Sequence, residues 1–182
     1  MEIIPHECAR RIRLLILDVD GVQTDRGLYY GETGGVARRF DVQDGTGITL
    51  AQEAGIVVAF ASGKGGVSIR ARAEELGVED IYENLRDKVK AYEELKAKYI
   101  VTDLEVAYIA DDVIDLPVLR KVGLGIAVAD AADEVLKAAT WVTVCPGGRG
   151  AVRESVEFIL RAQNKWDKVL EQRYGVECPS GG

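Results

Sequence analysis

The chain has 182 residues, of which 47% are hydrophobic, and this is typical of one globular domain with a sizeable core. Its net charge is −7 and it contains no run rich in lysine and arginine, which argues against nucleic acid and anionic membranes as partners. We expect a cytoplasmic protein, because no segment has the apolar length of a membrane span and the first residues lack the apolar core of a signal peptide.

The stretch LLILDVDG, which starts at Leu14, predicts a buried central strand that ends in two acids. Asp18 and Asp20 follow the strand at its carboxyl end, where open parallel sheets bind ligands, and strand alternation would point both carboxylates to the same side. Two neighbouring carboxylates repel each other unless a cation or a shared proton lies between them. The pair therefore indicates a metal site, although a turn with solvated carboxylates is equally compatible with this stretch alone. A calcium loop is disfavoured, because its glycine falls at the sixth position and Gly21 is fourth.

The next part of the chain predicts a β-hairpin flap over residues 25–41, with a glycine-rich turn from Gly31 to Gly35. A helix should then begin at Asp44 and stop at Gly55. The run IVVAFA predicts a second buried strand, which leads directly into Ser62 and Gly63. A helix over residues 67–76 follows.

The second half repeats the pattern of strands and helices. A strand over 80–82 precedes a helix over 87–99, and Lys88 lies in the first turn of that helix, where a cation is unfavourable unless an anion such as phosphate is near. A buried strand over 106–110 ends in Asp111 and Asp112, with Asp115 one turn later. Strands over 125–128 and 141–144, a helix over 132–139, a long final helix after GGRGAVRE and a Gly/Pro/Ser-rich tail over 175–182 complete the chain. This alternation predicts an α/β fold, a three-layer Rossmann-like parallel sheet in a single domain over 1–182.

Carboxylates and lysine are left to carry any catalysis. The only histidine, His6, precedes the first strand, which disfavours histidine-based mechanisms. Three widely spaced cysteines, Cys8, Cys145 and Cys178, indicate neither a disulfide framework nor a zinc site.

The residues that follow the strands form the set that phosphoryl transfer through an aspartate requires. Asp18 is the predicted nucleophile, and Asp20 is the acid that protonates the leaving alkoxide and then the base that activates water. Mg²⁺ would be held by Asp18, the main-chain carbonyl of Asp20 and Asp111. Ser62 and the main-chain N–H groups near Gly63 would bind phosphate oxygens.

Lys88 would supply positive charge for the transition state, and Asp115 or Asp112 would orient it. Each of these residues also has an ordinary structural interpretation, as a loop serine, a solvated lysine or a helix cap. Their joint occurrence, in this order and at the carboxyl ends of the strands, favours the catalytic interpretation.

DVDGV, Ser-Gly, Lys and DDxxD occur here in the order that resembles the haloacid dehalogenase superfamily of phosphohydrolases. Longer motifs, within residues 12–163, resemble the uncapped subclass of this superfamily that hydrolyses 3-deoxy-D-manno-octulosonate 8-phosphate: DVDGVQTD, FDVQDGTGI, RAEELGV, DDVIDLPVL and GGRGAVRE. The resemblance implies a fold without a cap domain, a homotetramer whose subunits cover each other's sites, and a tail that reaches into an active site.

The resemblance also implies which residues contact the substrate besides Asp20 and Lys88: Asp41, Val42, Gln43, Asp44, Gly45, Gly63, Lys64 and Arg72. The cations among them suit a sugar-acid carboxylate. Four positions depart from the family pattern. Lys64 and Gln43 stand where arginine is usual or common, Thr49 where a further arginine is found, and Ala110 in place of a glycine. Because lysine lacks the planar two-pronged donor geometry of arginine, Lys64 would bind the sugar-acid carboxylate more weakly or favour another acid sugar.

The sequence thus predicts a Mg²⁺-dependent phosphatase acting on a phosphorylated 3-deoxy-2-keto sugar acid of lipopolysaccharide precursor biosynthesis, through an aspartyl-phosphate intermediate. The eight-carbon 8-phosphate is the preferred substrate, and a nine-carbon acid-sugar 9-phosphate of the sialic-acid type is the alternative. A receiver-type phosphoacceptor would use similar residues, but its acid pair precedes its phosphoacceptor, and here the nucleophile comes first. A catalytically silent homologue is disfavoured by the presence of all the catalytic residue types.

Overall fold

The computed structural model describes residues 4–32 and 34–176. The described strands are β1 Leu14–Leu17, β2 Tyr29–Tyr30, β3 Val36–Ala37, β4 Val57–Ala61, β5 Asp80–Tyr82, β6 Val106–Ala110, β7 Leu124–Ala127 and β8 Trp141–Val142. The α-helices are α1 Pro5–Ala9, α2 Val42–Glu53, α3 Val67–Glu75, α4 Lys88–Tyr99, α5 Leu116–Leu119, α6 Asp133–Ala138, α7 Ala151–Ala162 and α8 Trp166–Tyr174. None of the helices in this part of the chain is long and apolar enough to cross a bilayer.

Six strands form one parallel sheet in the order β5-β4-β1-β6-β7-β8. The strand β1 lies in its centre between β4 and β6, and all four of its residues are buried. Chain order runs outward from β1 to β5 in one direction and from β6 to β8 in the other. The order therefore reverses beside β1, and such a switch point creates the crevice in which parallel α/β sheets bind ligands.

The helices flank the sheet in two groups. In one group α1, α2 and α8 pack on α7, and in the other α4 and α6 pack on α5. The apolar positions of α7, at helical spacing, are buried in the core: Val152, Val156, Ile159 and Leu160. The predicted α/β class with a parallel sheet is confirmed.

The predicted hairpin is formed by β2 and β3, in which Tyr29 is paired with Ala37 and Tyr30 with Val36. A bridge between Thr24 and Phe40 closes its base. Both tyrosines of β2 are exposed.

Several element boundaries differ from the predictions by one residue, and three elements differ by more. The helix α2 begins at Val42 instead of Asp44, because the carboxylate of Asp41 accepts the N–H of Gln43 and caps the helix. The predicted long final helix is two helices, since Asn164, between α7 and α8, has a left-handed φ of 55°. The strand β8 covers two residues instead of four. From residue 177 onward, the predicted tail lies outside the described residues.

Candidate active site

The pairing of the neighbouring strands β1 and β6 brings together the acids that follow them. The N–H of Asp18 donates to the carbonyl of Ile109 at 3.3 Å, so the parallel pairing continues to the first catalytic candidate. The turn after Asp18 then passes close to Asp111. Gly21 has a φ of +101°, and a Cβ at this position would lie 2.0 Å from Oδ2 of Asp111. Glycine is therefore required at the end of the DVDG motif, because it lets this turn pack against the Asp111 carboxylate.

Three buried carboxylates form a cluster that could hold a metal ion: Asp18, Asp111 and Asp115 each offer an oxygen, and these oxygens lie within 4.8 Å of one another. Among the described residues, Oδ1 of Asp111 and Oδ2 of Asp115 are buried without a hydrogen-bond partner. Buried polar atoms are normally paired, so these oxygens point to a missing ligand. A hard divalent cation such as Mg²⁺ prefers carboxylate oxygens, and the cluster fits it.

The electrostatics of the cluster also favour a cation. Burial raises the pKa of Asp18 well above its ordinary value, and the charge of Asp115 raises it further, although Lys88 opposes both effects. Burial also raises the pKa of Asp111, against the hydrogen bond that Arg26 donates to it. Keeping these carboxylates ionised together is therefore unfavourable without added positive charge.

Lys88 is the cation already present in the cluster. Its Nζ lies 2.7 Å from Oδ1 of Asp18 and 2.6 Å from Oδ1 of Asp115, and its side chain is 1% exposed. Burial alone would lower the pKa of Lys88, but the two carboxylates outweigh this and raise it. The unfavourable position of a lysine in the first turn of α4 is thus compensated by carboxylates as well as by any phosphate that binds there.

Lys88→Met should destabilise the fold by about 3–5 kcal/mol, because it leaves two buried carboxylates without their cation. Lys90→Met, two residues further along the same helix, is the matched control. Lys90 is 82% exposed and lies 3.9 Å from Glu94, so its loss should cost less than about 0.5 kcal/mol. Urea unfolding of both variants measures the difference, and equal stabilities would contradict the role assigned to the buried ion pairs.

The carboxylate cluster opens into a pocket of about 270 Å³ at the carboxyl edge of the sheet. Its lining brings together the four predicted catalytic residues, Asp18, Asp20, Ser62 and Lys88, with five others: Gly63, Lys64, Asp111, Asp112 and Ile114. Because β1 ends at Leu17, strand alternation does not set the direction of Asp20, which reaches the pocket from the following turn. The Oγ of Ser62 accepts the N–H of Lys64 at 3.2 Å, which orders the start of the loop after β4. A larger cavity of about 790 Å³ lies beside the hairpin, but its described lining contains no carboxylate.

The predicted substrate contacts of the FDVQDG segment and of Arg72 do not line this pocket. Both carboxylate oxygens of Asp44 instead accept backbone N–H groups at the start of α7, from Gly150 at 3.2 Å and from Arg153 at 2.9 Å. Arg72 donates to the carbonyl of Asp41 at 2.7 Å. These residues therefore form a separate cluster where the start of α2 meets α3 and α7.

Of the two acids predicted to orient Lys88, Asp115 forms an ion pair with the lysine, and Asp112 accepts the N–H of Val113 at 2.7 Å. Tyr108, which the sequence pattern did not single out, donates its hydroxyl to Oδ1 of Asp115 at 2.7 Å.

Two arginines at the site were also missed. Arg26 donates from Nε to Oδ2 of Asp111 at 2.9 Å, and Arg38 binds the carboxylate of Asp20. Both lie in the segment between β1 and α2, and the available signal was the occurrence of arginines in the segment predicted to form the hairpin flap.

Comparison with known proteins agrees with this geometry. Residues 75–152 match the family model described as haloacid dehalogenase-like hydrolase. The chain is 43% identical over 164 residues to the 3-deoxy-D-manno-octulosonate 8-phosphate phosphatase KdsC of Escherichia coli K12, which covers 90% of this chain and 87% of the relative. The chain belongs to the haloacid dehalogenase-like hydrolases. The predicted superfamily is thus confirmed, and the alternative of a receiver-type phosphoacceptor is not supported.

Solved structures within the same superfamily have the same fold. The 3-deoxy-D-manno-octulosonate 8-phosphate phosphatase of Yersinia pestis is 45% identical, with a TM-score of 0.87 over 88% of this chain and 87% of that one. The enzyme of the same name from Moraxella catarrhalis, whose structure is a complex with a magnesium ion, a phosphate ion and a KDO molecule, is 35% identical. Its TM-score is 0.89 over 92% of this chain and 96% of that one. The chain therefore shares the fold of these solved members of its family.

Proposed function

We propose that this chain is a Mg²⁺-dependent phosphatase that hydrolyses 3-deoxy-D-manno-octulosonate 8-phosphate to the free sugar acid and phosphate. The observation that carries the proposal is the buried Asp18 between Lys88 and Asp111, in a pocket that Asp20 also lines. The relatives at 43–46% identity are named for this reaction.

Asp18 is the nucleophile of the first step. One of its carboxylate oxygens forms a bond to phosphorus while the bond from phosphorus to the sugar oxygen breaks. The electron pair of that bond stays on the sugar oxygen, which takes the proton of the Asp20 carboxyl group. The products are the free sugar acid and an aspartyl phosphate on Asp18.

In the second step the Asp20 carboxylate takes a proton from water, and the water oxygen bonds to phosphorus. The bond between phosphorus and Asp18 breaks, its electron pair returns to the carboxylate, and phosphate leaves. Ser62 and the N–H of Gly63 bind phosphate oxygens, and Lys88 balances the charge on them.

The metal is assigned to the acids at the end of β1 and β6. Asp18, Asp111 and the main-chain carbonyl of Asp20 would hold Mg²⁺, which supplies charge neutralisation between the nucleophile and the phosphate when bound. Asp115 shares the cluster and also holds Lys88 through its Oδ1.

The sugar-acid carboxylate is assigned to Lys64, which lines the pocket beside Ser62. The FDVQDG segment and Arg72 remain proposed contacts that a second subunit would have to bring to the pocket.

A homotetramer is consistent with this arrangement and with the exposed Tyr29 and Tyr30 of the hairpin. Sedimentation at about four times the 19.8 kDa of one chain tests it, and a monomer would overturn it. We also propose a cytoplasmic location and a place in lipopolysaccharide precursor synthesis.

Initial rates of phosphate release test the substrate. With Mg²⁺ present, we expect kcat/KM for the eight-carbon 8-phosphate to exceed that for a nine-carbon acid-sugar 9-phosphate by at least about tenfold, since the two differ in how the carboxylate reaches Lys64. Lys64→Met should raise KM for both acid sugars but not for a neutral sugar phosphate, because only the former carry a carboxylate. A preference for the nine-carbon ester would reassign the substrate, and release of phosphate from neither ester would reject the proposed function.

A further inference from the structure

Arg38, directly after β3 of the hairpin, donates two hydrogen bonds to the carboxylate of Asp20. Its Nε donates to Oδ1 at 2.7 Å and its Nη2 to Oδ2 at 3.3 Å. These are the hydrogen bonds that the side chain of Asp20 makes within the described residues. A planar guanidinium that meets a carboxylate in this two-pronged way fixes the orientation of the carboxylate.

The guanidinium is itself held in place. Its Nη1 donates to Oγ of Ser68 in α3 at 3.0 Å, and that hydroxyl donates in turn to the carbonyl of Val36 in the hairpin at 3.3 Å. The side chain of Arg38 is 1% exposed, whereas that of Asp20 is 21% exposed. The arginine side chain is thus enclosed, whereas Asp20 lines the pocket.

Asp20 needs such support because of where it lies in the chain. It belongs to the turn after β1, so no strand pairing restricts it. A carboxylate has about four acceptor positions on its two oxygens, and Arg38 uses one on each, which leaves acceptor positions for exchange of a proton with substrate or water. A catalytic acid or base acts efficiently only when it is held at the right distance and angle.

We propose that Arg38 is a positioning residue for the acid and base Asp20. Through Arg38, the orientation of the Asp20 carboxylate depends on the hairpin and on α3. The inference rests on the proposed function, in which Asp20 protonates the leaving oxygen. An ion pair that only stabilised the fold would affect every substrate equally. A positioning residue instead affects most those substrates whose leaving group depends on the proton.

The test compares two substrates that differ in this dependence. The sugar-acid phosphate releases the sugar acid as an alkoxide, which needs a proton, whereas p-nitrophenyl phosphate releases a stable phenolate, which needs little help from an acid. The ratio kcat/KM is the right quantity, because it reports the steps up to release of the first product. The variants are Arg38→Met, Arg38→Lys and Asp20→Asn, with the exposed Arg120→Met as the control for loss of one positive charge.

We expect Arg38→Met to lower kcat/KM for the sugar-acid phosphate by at least about 100-fold and for p-nitrophenyl phosphate by less than about fivefold. Asp20→Asn should give the same pattern more strongly, Arg38→Lys should recover part of the loss, and Arg120→Met should resemble the unchanged protein. If Arg38→Met does not fold, Ser68→Ala replaces it, because this change removes one of the hydrogen bonds that hold the guanidinium. We expect Ser68→Ala to lower kcat/KM for the sugar-acid phosphate by about threefold more than for p-nitrophenyl phosphate.

The outcomes separate the two proposals. Equal losses on both substrates for Arg38→Met, with a selective loss for Asp20→Asn, would overturn the positioning role alone. An unselective loss for Asp20→Asn would overturn the acid function of Asp20 and the inference with it. A melting temperature that still rises with Mg²⁺ in Arg38→Met would establish that the metal site is retained in that variant.

Discussion

Asp18→Asn is expected to lower turnover by at least about 10⁴-fold while the fold is kept. An amide nitrogen replaces the carboxylate oxygen that attacks phosphorus, with almost no change in volume. Because burial and Asp115 raise the pKa of Asp18, its charge is unfavourable in the folded protein without metal. The free energy of unfolding of the metal-free variant should therefore fall by no more than about 1 kcal/mol, even though Lys88 loses one of its two carboxylates.

Phosphate release and urea unfolding, measured on the same preparation, check both parts of this prediction. Asp133→Asn is the matched control, because it makes the same chemical change at an exposed position in the first turn of α6. It should keep full activity. An Asp18→Asn protein that still turns over at a rate within tenfold of the unchanged protein would show that another residue is the nucleophile.

Removal of magnesium is expected to abolish turnover and to lower the melting temperature. A ligand at 100 times its Kd stabilises the folded state by about 2.7 kcal/mol. For a chain of this length such a change corresponds to a shift of about 5–10 °C. The physical reason is the cluster of Asp18, Asp111 and Asp115, whose mutual repulsion and unpartnered oxygens a divalent cation relieves.

Asp111→Asn is expected to lose most of this shift, because it removes the charge of one predicted ligand. Thermal unfolding followed with added EDTA and with increasing Mg²⁺ measures the effect without any substrate, and Asp133→Asn should show the full shift. The same melting temperature with and without Mg²⁺, in a protein that hydrolyses the sugar-acid phosphate, would contradict a metal at this cluster.

The sequence predicted the central strands of the sheet well, because a buried strand shows itself as an uninterrupted run of apolar residues. LLIL and VAYIA are apolar without interruption, and they form the neighbouring central strands β1 and β6. Parallel strands expose their carboxyl ends at one edge of a sheet, and this rule is enough to bring Asp18 and Asp111 together from the sequence pattern. The single domain, the assigned catalytic roles and the tail from residue 177 stay predictions.

Helix boundaries were predicted less well, because they depend on which side chain caps the backbone. Asp41 and Asp44 are both acids near the start of α2, and either could have been the cap. The structure uses Asp41 there, while Asp44 accepts the N–H of Gly150 at the start of α7, 106 residues further along the chain. A local pattern contains no information about such a distant partner.

The sequence by itself determined that acids, a serine and a lysine follow the strands of a parallel sheet, and hence the class of chemistry. Only the tertiary structure decided which charges are paired: Arg38 with Asp20, 18 residues apart, and Arg26 with Asp111, 85 residues apart. The reason is that strand and helix periods fix the face on which a side chain lies. Its partner is fixed by packing between distant segments, where burial makes an unpaired charge too unfavourable to persist.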